Sequence, residues 1–176
     1  MPICVVWFNG PSACDFYSIP PQSLEIGCNF IERRRPVDHV CAYDGELIRR
    51  LVPQSDRGYW TRGAMLSPGW LQVPSDLEPS CSGTLALALA VHLSDQPIYV
   101  VGCDWQATDR SVFDAEYTWR PGTPRKVSNP RIKFVHGVMR DRPLRFVHPR
   151  PQKGLGFDWI APGDFYELAT SELSSK

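Results

Sequence analysis

The sequence predicts an α/β protein, a three-layer fold around a mostly parallel β-sheet, in one domain spanning residues 1–176. Three observations carry that expectation. The apolar run Val5-Val6-Trp7-Phe8 stops abruptly at Asn9-Gly10-Pro11-Ser12, as a buried strand does when it enters a tight turn. Far downstream, Cys81-Ser82-Gly83-Thr84 opens an almost wholly apolar run to Leu93, and Ile98-Tyr99-Val100-Val101-Gly102-Cys103-Asp104 follows after Ser94-Asp95-Gln96. That block reads as loop, helix, strand and loop. Between and beyond these landmarks, strand-like and helix-like segments alternate, the order expected when helices cover the faces of a sheet.

The elements follow in order. Residues 3–8 form the first strand. Residues 23–29, with Leu24, Ile26 and Cys28 in alternation, form the second and end at Asn29. Residues 37–43 form a third that closes on Asp44-Gly45, and residues 46–51 a short helix with Leu47, Ile48 and Leu51 on one face. Residues 59–77 are broken by Pro and Gly and accommodate one or two short strands. Residues 83–93 form a helix apolar enough to be buried on most sides, and residues 98–101 a strand. Residues 107–129 are polar and contain Pro, the style of a functional loop, so a lid is expected over 105–130. Ile132, Val135, His136 and Met139 recur at helical spacing, residues 144–147 form a late strand, and residues 162–171 a C-terminal helix. The whole reads as a Rossmann-like arrangement. Because the intervening segments are short and irregular, a mixed sheet with small helices is expected rather than a full doubly wound fold.

Composition narrows the function classes. The 176 residues suffice for one domain with a real core. Nineteen basic residues balance nineteen acidic ones, which argues against gripping nucleic acid through its phosphates. Arg33-Arg34-Arg35 reads as a solvated face or a local patch. The six cysteines lie in no Cys-x-x-Cys pair and mostly end apolar runs, so reduced structural thiols are expected. The four histidines show no ligand spacing, and no metal site is expected. No leader pattern opens the chain and no apolar run approaches membrane length, as expected of a soluble cytoplasmic protein.

The candidate site sits at strand ends. Asn9-Gly10-Pro11-Ser12, Asn29, Asp44-Gly45 and Gly102-Cys103-Asp104 would lie along one edge of a parallel sheet, where ligand crevices form. Ser82-Gly83-Thr84 would add free backbone N–H groups and the positive end of a helix dipole, which favour an anion. Each also has a structural use: Asn9-Gly10 as a turn, Ser82 as a helix cap, Asp44 and Asp104 as caps of short helices. No Gly-x-x-x-x-Gly-Lys-Ser/Thr loop occurs, nor a Gly-x-Gly-x-x-Gly after the first strand.

Asn9-Gly10-Pro11-Ser12, Cys28-Asn29-Phe30, and Ser82-Gly83 with its apolar helix and the strand ending in Gly102-Cys103-Asp104 resemble the small bacterial sialyltransferases that use CMP-sialic acid. The pattern also resembles the related archaeal pterin pyrophosphokinases and flagellin-associated glycosyltransferase-like proteins. The resemblance covers residues 3–104 and, more loosely, the chain to about residue 150. It implies that Asn9 and Asn29 bind the nucleotide, that Ser82 and Gly83 hold the cytidine or donor sugar, and that Asp104 edges the same crevice. It implies a lid tyrosine on the leaving phosphate, for which Tyr117 is the candidate, and a histidine general base beyond the lid: His136 first by position, His148 second. The family carries Gly where this chain has Phe8. Such a transfer needs a base near neutral pH and donors for the phosphate, and no metal cofactor.

Three readings follow: a metal-independent glycosyltransferase with a nucleotide-sugar donor; a Mg²⁺-dependent pyrophosphokinase-like transferase leaning on Asp44 and Asp104; and a non-catalytic nucleotide-binding or interaction protein. Tyr59, Trp60, Met65 and Trp70 read as core, as an acceptor platform, or as a homo-oligomer interface.

Overall fold

The computed structural model describes residues 3–10, 12, 13, 19, 22–74, 76, 79–104, 125–150 and 154–174. Pro11, Tyr117 and most of the expected lid lie outside them.

Eight strands make one sheet: β1 (Cys4–Trp7), β2 (Leu24–Cys28), β3 (His39–Cys41), β4 (Gly58–Thr61), β5 (Leu71–Gln72), β6 (Ile98–Val101), β7 (Leu144–Val147) and β8 (Asp158–Ile160). Their order is β5-β4-β3-β2-β1-β6-β7-β8, and every pairing is parallel. Among the described residues four α-helices accompany them: α1 (Gly45–Arg50), α2 (Ser82–Leu93), α3 (Arg125–Asp141) and α4 (Pro162–Ser174).

The chain lays strands outward from β1 to β5, returns through α2, and resumes at β6 on the other side of β1. The strand order therefore reverses between β1 and β6, which in open α/β sheets is where ligands bind. This corrects the expected mixed sheet. A parallel crossover needs length rather than a full helix. The short 3-10 helix Asn29–Arg33 carries the chain from β2 to β3.

Central strands are buried on both faces, so they read as unbroken apolar runs. β1 and β6 are buried at every position. On one face Val5, Trp7, Tyr99 and Val101 pack against Phe30, Ile31, Leu47 and Phe165. On the other, Cys4, Val6, Ile98 and Val100 meet the buried side of α2 and Phe134, Val135 and Val138 of α3. Tyr59 and Trp70 belong to the first core, ring to ring at 5.4 Å. Trp60 and Met65 pack, half-buried, against the two cores. No helix among the described residues is long and apolar enough to cross a membrane.

Candidate functional site

The strand ends meet as the parallel sheet requires. Phe8 N–H donates to Val101 O at 2.8 Å, and Gly10 N–H to Gly102 O at 2.8 Å, sewing the turn after β1 to the turn after β6. The packing leaves no room for side chains. A Cβ on Gly10 would stand 2.1 Å from Asp104 Oδ2 and 2.4 Å from Gly102 O. Gly102 has φ +75°, and a Cβ there would stand 2.5 Å from Phe8 O, so a left-handed backbone and close approach both demand glycine.

Asp104 is the hub. Its Oδ2 accepts the Ser12 N–H at 2.9 Å, and its Oδ1 lies 2.5 Å from His148 Nε2. Both side chains are 7% exposed. The Arg150 N–H donates to His148 Nδ1 at 2.9 Å, which makes Nδ1 a bare acceptor. The proton of the neutral ring therefore sits on Nε2 and points at the carboxylate. One carboxylate thus ties together the ends of β1, β6 and β7. It accepts two of the roughly four hydrogen bonds that a carboxylate's lone pairs allow.

Asn29 directly follows β2 with φ +57°, the left-handed region that Asn tolerates better than most residues. Its Oδ1 is buried and has no hydrogen-bond partner among the described residues, and neither has Ser12 Oγ. Buried polar atoms left unpaired are uncommon, and each points to a missing partner or a function. Asn9 lies on the same edge, with its backbone N–H against the Cys28 sulfur. Burial pushes the Cys28 and Cys41 thiols well above their usual range, so both are poor nucleophiles near neutrality.

The start of α2 is arranged differently from the sequence expectation. Cys81, not Ser82, is the N-cap, with Thr84 completing a capping box. Thr84 Oγ1 accepts the Ser80 and Cys81 N–H groups at 2.9 and 3.0 Å and donates to Cys81 O at 3.0 Å. Ser82 Oγ accepts the Tyr43 N–H at 3.0 Å. Both hydroxyls therefore hold the fold together locally. Gly83 lies beneath Phe8, where a Cβ would stand 2.5 Å from the ring, so an aromatic face covers the first turn of α2. Asp44, half-buried, is the N-cap residue of α1 at the end of β3.

The two histidines part company. His136 stands exposed on α3, its ring 5.1 Å from Phe157, which precedes β8 and so lies toward the opposite edge of the sheet. Phe134, Val135 and Val138 are the described α3 residues that enter the core. His148 directly follows β7 and joins Asp104. Sequence reasoning had the signal for this choice, since the strand-end rule applied to Asn9, Asn29 and Asp104 selects His148 as well. The sequence reading keeps Tyr43 inside the third strand, and the Pro- and Gly-broken stretch hides the end of β4, where Arg62 stands. No group of three or more described His, Cys, Asp or Glu residues is placed to hold a metal ion.

No family model matches the chain, and no curated protein sequence matches it. Solved structures do. One is a single-residue mutant of alpha-2,3/8-sialyltransferase CstII, with a TM-score of 0.58 and 12% identity over 89% of this chain and 85% of that one. Another is the sialyltransferase CstII of Campylobacter jejuni in complex with the substrate analogue CMP-3FNeuAc, with a TM-score of 0.56 and 13% identity over 90% and 86% of the two chains. At such identity the likeness establishes a shared fold across most of both chains.

Proposed function

We propose that the protein is a sialyltransferase-like glycosyltransferase that takes a nucleotide-activated sugar, CMP-linked in the first instance, without a metal cofactor. The Asp104-centred cluster at the point where the strand order reverses carries this reading. Asn9 and Asn29 bind the nucleotide, Asn29 through the amide oxygen that has no partner among the described residues. The Asp104–His148 pair takes the acceptor proton. Asp104 has lone pairs beyond those its described partners use, so the carboxylate receives the hydroxyl hydrogen while the His148 Nε2–H holds it in place.

The second reading, a nucleotide-binding module without turnover, is favoured by the engagement of both His148 nitrogens. The Mg²⁺-dependent reading would place the ion at Asp44 and Asp104, and metal dependence separates it from the first.

The test is thermal unfolding with CMP and CMP-sialic acid, each with and without Mg²⁺, followed by turnover of the donor. A ligand at one hundred times its Kd adds about 2.7 kcal/mol of stability. Stabilisation independent of Mg²⁺ is expected. Asp104→Asn is expected to cut turnover by about 100-fold or more while donor binding persists. Turnover unaffected by Asp104→Asn removes the pair from the chemistry, and binding without any turnover selects the second reading.

A further inference from the structure

We propose that Arg62 and Tyr43 form an oxyanion subsite at the β3–β4 end of the crevice, taking a carboxylate or phosphate of the ligand. The identity of that ligand rests on the nucleotide-sugar reading above. Tyr43 follows β3 and Arg62 follows β4, so the parallel sheet delivers both to the edge that carries Asn9, Asn29 and Asp104. The Arg62 guanidinium lies over the Tyr43 ring, 4.3 Å from its centroid, and Nη1 donates to Tyr43 Oη at 3.0 Å. Stacking and hydrogen bond together hold the planar fork in one orientation, the arrangement suited to gripping an oxyanion with two parallel bonds.

Among the described residues the guanidinium has no counter-charge. Arg35, Arg49, Arg50, Arg57, Arg142 and Arg145 each pair with a carboxylate, whereas no described carboxylate pairs with Arg62. Its Nε is buried and has no hydrogen-bond partner among the described residues. A half-buried cation without a described counter-charge is costly, and an anion bound at the guanidinium's open nitrogens supplies that charge. The neighbourhood has a further unfilled group. The Tyr43 N–H bonds Ser82 Oγ at the first turn of α2, and two residues earlier Ser80 Oγ is buried with no partner among the described residues.

At about 4.8 Å between neighbouring strands, β4 stands about 14 Å from β1 along the edge. An anion at Arg62 therefore belongs to a different part of the ligand from the group held at Asn9. A nucleotide sugar lying across the strand ends reaches both.

The test uses the full chain and the variant Arg62→Gln. Calorimetric titration with CMP and CMP-sialic acid is paired with thermal unfolding in inorganic phosphate and free sialic acid at constant ionic strength. Arg62→Gln is expected to weaken CMP-sialic acid by about tenfold or more. Unchanged CMP affinity then assigns the oxyanion to the sugar carboxylate, and an equal loss assigns it to the phosphate. Arg62→Lys keeps the charge without the fork and recovers part of the loss. It also carries the comparison if the glutamine variant unfolds. Tyr43→Phe keeps the ring under the guanidinium and loses less than Arg62→Gln.

Unchanged affinity for both nucleotides in Arg62→Gln, with Asn9→Ala weakened, overturns the subsite and leaves the nucleotide reading standing. If the wild-type chain binds neither nucleotide, the nucleotide reading fails and the two free anions decide the subsite. Stabilisation that Arg62→Gln abolishes supports it, and its absence overturns it.

Discussion

His39 shows how one residue's surroundings set a property of the whole chain. Its Nδ1 accepts the Trp60 indole N–H at 3.2 Å, and the two rings meet edge to face. Burial holds its pKa below the usual 6.5, opposed in part by the nearby Asp38 charge. The folded ring is thus neutral at pH values where the unfolded chain's histidine has already taken a proton. Just below pH 6.5 the unfolded state binds more protons, so stability falls as the pH drops through that window and levels off beneath the folded value. Urea unfolding at a series of pH values should show this slope in the wild type and a shallower one in His39→Gln. Equal slopes would remove His39 as the cause. The same sensitivity to surroundings explains why Ser82 and Thr84 read as ligand contacts from sequence: a hydroxyl at a helix start suits both an anion and a cap. The partners, Tyr43 N–H and the Ser80 and Cys81 amides, put both hydroxyls to use as cap and tether.

The elements that matter most are those whose ends are tied down. α2 has almost no polar face, and its residues from Ser82 through Ala90 are buried, so its amide groups at the N-terminus must find partners inside the protein. The Thr84 hydroxyl supplies the partner for two of the preceding amides. Thr84→Val keeps the volume and removes the hydroxyl's hydrogen bonds to Ser80 and Cys81, and is expected to cost about 1–2 kcal/mol. Thermal unfolding indistinguishable from wild type would show that water replaces the hydroxyl without loss. The edge elements behave otherwise. β5 and β8 are two and three residues long, and their few side chains give little periodicity, which is why β8 escapes a sequence reading altogether. Short strands also leave little free edge for another chain to pair with.

At the scale of the molecule, stability comes from two cores separated by one sheet. Leu87 is 0% exposed at the centre of the α2 face, so Leu87→Ala is expected to cost about 2–5 kcal/mol. Val52 is 69% exposed, so Val52→Ala should stay within about 0.5 kcal/mol. Denaturant unfolding of the pair tests whether the α2 face carries the fold. A small loss at Leu87 would mean that α2 relaxes onto the sheet and that the core is shared with the opposite face. The site hangs on the same architecture. The β1 and β6 ends carry Asn9 and Asp104 side by side only because the chain returns through α2 to the strand it started from.

The chain's local patterns alone determine its class and much of its element content. β6 and β7 have the bounds the apolar runs predict, and α1 and α2 are displaced by one residue or less. The strand-end rule finds Asn9, Gly10, Ser12, Asn29 and Asp104 on one edge, because a parallel sheet puts every strand's end there. Tertiary structure decides the rest. The all-parallel order, the choice of Cys81 as cap, the pairing of Asp104 with His148 and the stacking of Arg62 on Tyr43 join residues far apart in the chain. Local periodicity records which side of a segment is buried. It does not record which strand lies next to which, and in this protein that adjacency assembles the site.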